Sequence, residues 1–590
     1  MLNYNFLNLS IMKTKFKYIL SILLAGVLLS SCNDFLEEHP QSFISPDNFF
    51  NNKEEADIAL IGVYDAIGTN KGWGLYAANM LIIDQGTSLS SSRIGNLTQG
   101  GIAHYLAATD YKVFTEIWEN SYDGIQRANT VINRVGQMDK EQIDELNQLR
   151  IIAEAKFLRA LHYFNLVRLY GGVPVLAKET TDMDNVLVGR NTTEDVYYQI
   201  IGDLEYAAEN LFYRTNSANT PKLEITGSGR ATKGAALGLL SKVYLTLAST
   251  KKYASTALSN YKYANYDWVD VAVNYQKATQ YAGAVIQLAE SGGGINLLDD
   301  YSQIFMTENH NESLFEVQFG PELEEGGYVA YWAGPLNADK YAVDRGQARI
   351  NATPEFSDSF IKAWSAEGPL VEEESDFRYS WNIGKFKYAK KQNKLNLAFK
   401  KEYCYRKYRK TETYEFADVQ NFPVLRYADV LLMLAEAHNE LGTEPDSVVW
   451  AVNKIRERAR KGSASDMMTY PASNQPADMA SGLDQETVRN IIIKERGWEL
   501  CHEGQARFDD VRLGQLEKAV TAQVDYSKNT AAKGADKPIK FYVDGRNEDG
   551  LPTSTSTTGA QNFDARKHWL FPIPQFERDV NPNLEQNGTW

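Results

Sequence analysis

The sequence predicts a mainly α fold, in which paired helices stack against an irregular, loop-rich region carrying a few short strands. Three observations lead there. Apolar residues recur at helical spacing through most of the chain. Several of these segments form helix–turn–helix pairs of similar shape. Between residues 292 and 424 the pattern changes to short alternating runs broken by Gly, Pro and aromatic residues.

The first 31 residues read as an address. Lys13, Lys15 and Lys17 form a basic segment, and an apolar run from Tyr18 to Leu29 follows. A bilayer span needs about 20 residues, so this run is too short to be one. It ends in Leu29-Ser30-Ser31-Cys32, with small residues just before a cysteine. That pattern resembles a bacterial lipobox, in which Cys32 is acylated and becomes the first mature residue. Met12 is the expected start, because residues 1–11 add nothing a signal peptide needs. Residues 32–46 then form an acidic tether, led by Asn33-Asp34-Phe35-Leu36-Glu37-Glu38.

The N-terminal helical part is assigned to 47–291. Asp47 or Asn51 caps a helix reaching about Ile67. A second runs from about Tyr111 to Val135, with Phe114, Ile117, Trp118, Ile125, Ala128 and Ile132 on one face. A third runs from about Lys140 to Tyr170 and stops at Gly171-Gly172 before Pro174. Thr192 or Thr193 caps a fourth to about Leu211, and helices near 229–249 and 268–290 follow. The irregular part, 292–424, contains one clear strand pattern at 313–319. Helical pattern returns in 425–590, at 425–441, 446–460 and 484–513, with a loop-like stretch at 520–565 and a short aromatic strand at 568–573. Gly442-Thr443-Glu444-Pro445 joins two helices into a unit about as long as a tetratricopeptide repeat, roughly 34 residues. The pairs 155–170 with 193–211, 231–248 with 269–289, and 425–441 with 447–460 therefore predict tetratricopeptide-like hairpins in a right-handed superhelix.

Composition narrows the function. With 61 basic and 76 acidic residues, the chain has a formal charge of -15. Nucleic acid is an unsuitable partner, because phosphates need a basic face. Cys32, Cys404 and Cys501 make no disulfide framework, and no CxxC pair suggests zinc. The sequence contains no HExxH, Walker loop or Gly-x-Ser-x-Gly elbow. No carboxylate pair is marked out for glycoside hydrolysis. An enzyme is not expected, nor any cofactor or metal beyond an adventitious Ca2+ in an acidic loop.

A set of motifs spread along the chain resembles the SusD/RagB family of outer-membrane lipoproteins. Early matches are Trp118-Glu119-Asn120-Ser121-Tyr122, Arg127-Ala128-Asn129 and the run from Arg159 to Pro174. Later ones are Pro423 to Leu432, Ala435-Glu436-Ala437, Glu495 to Leu500, Arg507-Phe508-Asp509-Asp510 and Asn581 to Asn587. The family usually has a second aromatic where Cys501-His502 begins. The resemblance implies a surface-exposed, lipid-anchored protein of the outer membrane that captures oligosaccharides, or peptides in some members. It also implies a partner, a SusC-like TonB-dependent transporter.

Sugars are held by flat aromatic rings and by polar side chains. The first candidate site is Trp73 and Tyr76, in a loop where Gly72 and Gly74 argue for an exposed, turning backbone. The second is Tyr328, Tyr331 and Trp332, after Gly326-Gly327. The third is Tyr266 and Trp268, beside Tyr261 and Tyr263. Asp84 is a polar candidate, with Arg93 and Asn96 as weaker ones. Trp118, Trp450 and Trp498 are expected in the core, and Arg426 with Asp429 and Arg507 with Asp510 as structural ion pairs. His162, His438 and His502 are isolated.

Overall fold

The computed structural model describes residues 49–68, 72–92, 101–180, 187–214, 229–320, 326–329, 332, 349–353, 355–356, 359–360, 364–365, 368–369, 376–391, 394–405, 407–408, 413–414, 417–461, 475–522 and 562–590. The lipobox and tether, Arg93, Asn96, Tyr331 and most of 520–565 lie outside these residues. From Asn52 onward the chain forms one compact unit.

Helices dominate, and their ends follow local chemistry. Helix α1 (Lys53–Asp65) is capped by Asn52, whose side chain accepts from the Glu55 N–H. Helix α2 (Lys112–Gln137) buries Phe114, Ile117, Trp118 and Ile125. Helix α3 (Glu145–Tyr170) starts at an Asp144 cap and ends at Gly171, whose φ of 76° suits a residue without a side chain. Helix α4 (Thr193–Asn210) has a capping box between Thr192 and Asp195. Helices α5 (Lys233–Ser249) and α6 (Val271–Glu290) follow, capped by Thr232 and Asp270.

Each helix packs on the next, from α1 through α6. The stack then continues across the irregular region onto helix α7 (Tyr427–Leu441), which packs against α6. Helix α8 (Pro445–Ala459) pairs with α7 around a left-handed Gly442, with Pro445 in its first turn. The three expected hairpins, α3 with α4, α5 with α6 and α7 with α8, all pack as pairs. Small residues allow close approach: a Cβ on Gly238 of α5 would sit 2.8 Å from Leu425.

The irregular region adds short strands. Strand β1 (Ser90–Ser92), β2 (Ser313–Val317), β3 (Ile350–Ala352), β4 (Ile383–Lys391), β5 (Lys394–Tyr405) and β6 (Phe422–Arg426) occur in that order. One sheet has the order β1-β3-β5-β4, and a second pairs β6 with β2. Strand β1 is three serines, with no β signal in its composition; it exists because Ser91 lies opposite Asn351 on a strand far along the chain.

Two expectations are corrected. The segment 484–513 is two helices, α9 (Gln485–Leu500) and α10 (Ala506–Arg512). His502 and Gly504 take φ values of 63° and 66° between them. A Cβ on Gly504 would lie 2.7 Å from the Met80 carbonyl, so the turn is needed where two backbones meet. Residues 568–573 form no strand, because their backbone bonds to a helix end: Phe571 N–H donates to Leu169 O at 2.8 Å.

A buried ionic network joins these parts. Arg426, at the end of β6, reaches Glu312 at 2.6 Å, Glu499 at 3.1 Å and Glu503 at 2.7 Å. Arg378 reaches Asp376, Glu495 and Glu499, while Arg458 of α8 reaches Glu312 and Glu499. Lys407 pairs with Glu503, and Arg456 with Glu495. Removing one partner from such a network strands a buried charge at a cost of about 3–5 kcal/mol. Arg426→Met should therefore lower stability by about that much, with Arg426→Lys intermediate because it keeps charge but not the fork. Chemical unfolding of the three proteins tests the order.

Candidate functional site

The first and second aromatic candidates, far apart in sequence, meet in space. The loop after α1 turns at Gly72 and Gly74, with φ of 63° and 70°. It is then drawn onto α2 by Glu116. One Glu116 carboxylate oxygen accepts from the Trp73 N–H at 3.1 Å and from the Asn79 side chain at 3.0 Å. A Cβ on Gly72 would fall 1.8 Å from the same carboxylate, so only glycine lets the loop lie this close. Tyr328 N–H donates to the Ala77 carbonyl at 3.1 Å, which fixes the second segment to the first.

Trp73 and Trp332 consequently stand edge to face, with ring centroids 4.8 Å apart. Trp73 is half-buried, whereas Trp332 is 1% exposed. Lys112, ion-paired to Glu116 at 2.8 Å, holds its ammonium 4.9 Å from the Trp73 ring. The Arg349 guanidinium lies 5.4 Å from the Trp332 ring. Half-buried Tyr328 borders the pair. The arrangement offers one indole beside a mobile-length cation, a combination that can cover an apolar sugar face and donate to a hydroxyl.

Two stretches of the chain match known families. Residues 34–245 match a family described as starch-binding and associating with the outer membrane. Residues 305–590 match the SusD family. The chain belongs to the SusD/RagB family.

A SusD-like protein of Formosa agariphila is 26% identical, over 97% of this chain and 99% of its own. A SusD-like protein of Bacteroides ovatus is 28% identical over 52% of this chain and 50% of its own. Among solved structures, a SusD homologue from Bacteroides thetaiotaomicron superposes with a TM-score of 0.71 at 27% identity, covering 92% of this chain and 98% of its own. A laminarin-binding SusD-like protein shares the fold, with a TM-score of 0.61 at 21% identity over 92% of this chain and 100% of its own. This SusD/RagB member is thus of a carbohydrate-binding, outer-membrane-associated type.

Other candidates in this SusD/RagB chain occupy different settings. Tyr76 is buried, not displayed: its hydroxyl bonds with Asn165 at 3.3 Å and its ring packs 5.5 Å from Phe422. Burial pushes its hydroxyl above the usual tyrosine range. Tyr266 is buried against Tyr197, and its hydroxyl is pushed up to about 12 by burial. Trp268 is half-buried, donates to the Asn265 carbonyl at 3.1 Å and packs on Tyr197 and the exposed Tyr198. Among the described contacts, none joins this third group to Trp73. Trp118 and Trp498 are core residues, as expected, but Trp450 is 37% exposed. Cys501 is a buried free thiol.

Asp84 is fully buried, at the N-terminal end of α10, where it accepts from the Arg507 N–H at 3.3 Å. Among the described residues its second oxygen has no hydrogen-bond partner. Burial, with the Asp510 carboxylate adding to it, lifts Asp84 to about 8. Burial likewise lifts Asp510 to about 7, against the Ser88 N–H and hydroxyl that bond it at 2.7 Å and 2.8 Å. The expected pair of Arg507 with Asp510 is not a salt bridge; Arg507 instead donates to the His568 carbonyl at 2.9 Å. Asp429 does form ion pairs, but with Lys242 and Arg496 rather than with Arg426.

Sequence reasoning missed Lys112, Glu116 and Arg349. A buried acid between Phe114 and Ile117 on an apolar helix face was a usable signal for Glu116. Arg349 carried none.

A pH dependence follows from Asp84. Between about pH 4 and pH 8 the folded chain keeps a proton that the unfolded carboxylate releases, so stability falls as pH rises through that window. One group contributes a slope of up to about 1.4 kcal/mol per pH unit. Asp84→Asn should flatten the decline, and denaturant unfolding at pH 5 and pH 8 measures it.

Proposed function

We propose that this protein is a non-catalytic glycan receptor, tethered through acylated Cys32 to the outer face of the outer membrane. It captures oligosaccharides and passes them to a SusC-like TonB-dependent transporter, without a cofactor. The observation that carries the binding role is the Trp73–Trp332 pair, clamped by Glu116 and capped by Lys112. A pyranose ring has an apolar C–H face that covers an indole, and Lys112 is placed to donate to a hydroxyl at its edge. Affinity is modest, because an open aromatic site buries little area and sugar hydroxyls must shed water.

Membership in the SusD/RagB family and the starch-binding description of the N-terminal match support this reading. The small hydrophobic leader ending at Cys32 supports the tether, since several acyl chains hold a soluble body firmly where one chain does not. Among the described residues no helix is long and apolar enough to cross a membrane.

Trp73→Ala should weaken retention in affinity gels containing starch or laminarin at least about tenfold, near 1.4 kcal/mol, with a smaller drop in thermal midpoint than a fully buried aromatic would give. Tyr76→Ala should behave oppositely and lower the thermal midpoint more, because it hollows the core. Unaltered retention by Trp73→Ala would reject this site.

A further inference from the structure

A second place on the molecule has the chemistry of a saccharide site. Helices α6, α7 and α8 enclose an open groove of about 420 Å³, within the usual size range of small-ligand pockets. Its walls come from Thr279, Gln280, Ile286, Leu434, Ser447 and Trp450. None of these belongs to the Trp73–Trp332 site.

Trp450 is the first unusual feature. Helix α8 buries Val448, Ala451, Val452 and Ile455 against the stack, yet leaves Trp450 37% exposed. The core does not require this indole, and it forms a flat apolar wall beside Ile286 and Leu434. The second feature is Gly283, in the middle of α6 and in the same groove. A Cβ there would meet nothing within 4 Å. Alanine would fit and favour the helix; glycine instead leaves the groove floor bare. The third feature is the rim. The Gln280 carboxamide and Ser447 hydroxyl make no hydrogen bond to the rest of the described chain, and the Glu290 carboxylate and His438 ring stand beside them. Together these supply an apolar platform with donors and acceptors at its edge, which fits a neutral sugar better than an ion or a purely apolar ligand.

We propose that this groove is a second saccharide site. It takes one pyranose unit with its C–H face on Trp450 and its hydroxyls on Gln280, Ser447 and Glu290. The proposal rests on the glycan-receptor reading, and it gives one chain two separated contacts for a long polysaccharide. Two weak sites on one chain raise retention of a polymer by effective concentration, with little change for short fragments.

The test labels the full chain with 5-fluorotryptophan and assigns the Trp73 and Trp450 fluorine resonances from Trp73→Phe and Trp450→Phe. Maltoheptaose and laminarihexaose are the probes. The expected result is a saturable shift of the Trp450 resonance by at least one of them. Gly283→Leu, which fills the groove floor, should abolish that shift while the Trp73 response persists. Gln280→Ala, at an exposed helix position without added bulk, should weaken it about tenfold. A Trp73 resonance that moves while Trp450 stays fixed overturns the second site alone. Silence of both resonances removes the receptor reading for these glucans together with the site. A Trp450 shift that survives Gly283→Leu also overturns the assignment to this groove.

Discussion

The buried ionic network around Glu499 is the constraint on which the rest of the structure depends. Arg378, Lys407, Arg426, Arg456 and Arg458 face Asp376, Glu312, Glu495, Glu499 and Glu503, so the cations and carboxylates balance. Burial opposes ionisation of Glu499, yet Arg458, Arg426, Arg378 and Lys407 hold its carboxyl far below the usual range. A network of this kind adds little net stability over a well-packed apolar core, but every incomplete version is expensive. Its effect is to permit one arrangement. Helices α8 and α9, strand β6 and the turn before β2 must all arrive together, because each brings charges that only the others neutralise.

That arrangement lets an irregular region carry a defined surface. The helical stack runs from α1 to α8, interrupted in sequence but continuous in packing. The interruption returns to the stack at β6, where Arg426 enters the network, and Tyr328 and Trp332 are laid against the loop after α1. Glu116 does the equivalent work on the other side, because a buried carboxylate attracts two donors from a loop that would otherwise be free to turn away. Rigid helices thereby fix a loop site to hydrogen-bond precision.

Much of the frame was legible in the sequence. The six helices from α1 to α6 and the α7–α8 hairpin follow apolar periodicity, and Thr192 and Gly171 mark ends by local chemistry, whereas the cap of α1 is Asn52 rather than Asp47 or Asn51. The candidate site was half legible. Gly72-Trp73-Gly74 announced a turning aromatic loop, and Trp332 stood out after a glycine pair. Their contact was not readable, since nothing local links residues so far apart. Tyr76 misled for a related reason: three residues beyond Trp73 it lies in a helical turn and is buried in the core. Trp450 misled in the other direction, because helical spacing gives a face but not what covers it.

The sequence by itself determined most of the helices and the family, because each is written in short-range pattern or in motifs. Only the tertiary structure decided which aromatic rings face solvent, that three serines form a strand, that Asp84 keeps its proton near neutrality, and which carboxylate answers which arginine. Those outcomes depend on desolvation and on partners brought from distant segments, and neither quantity exists until the chain has folded.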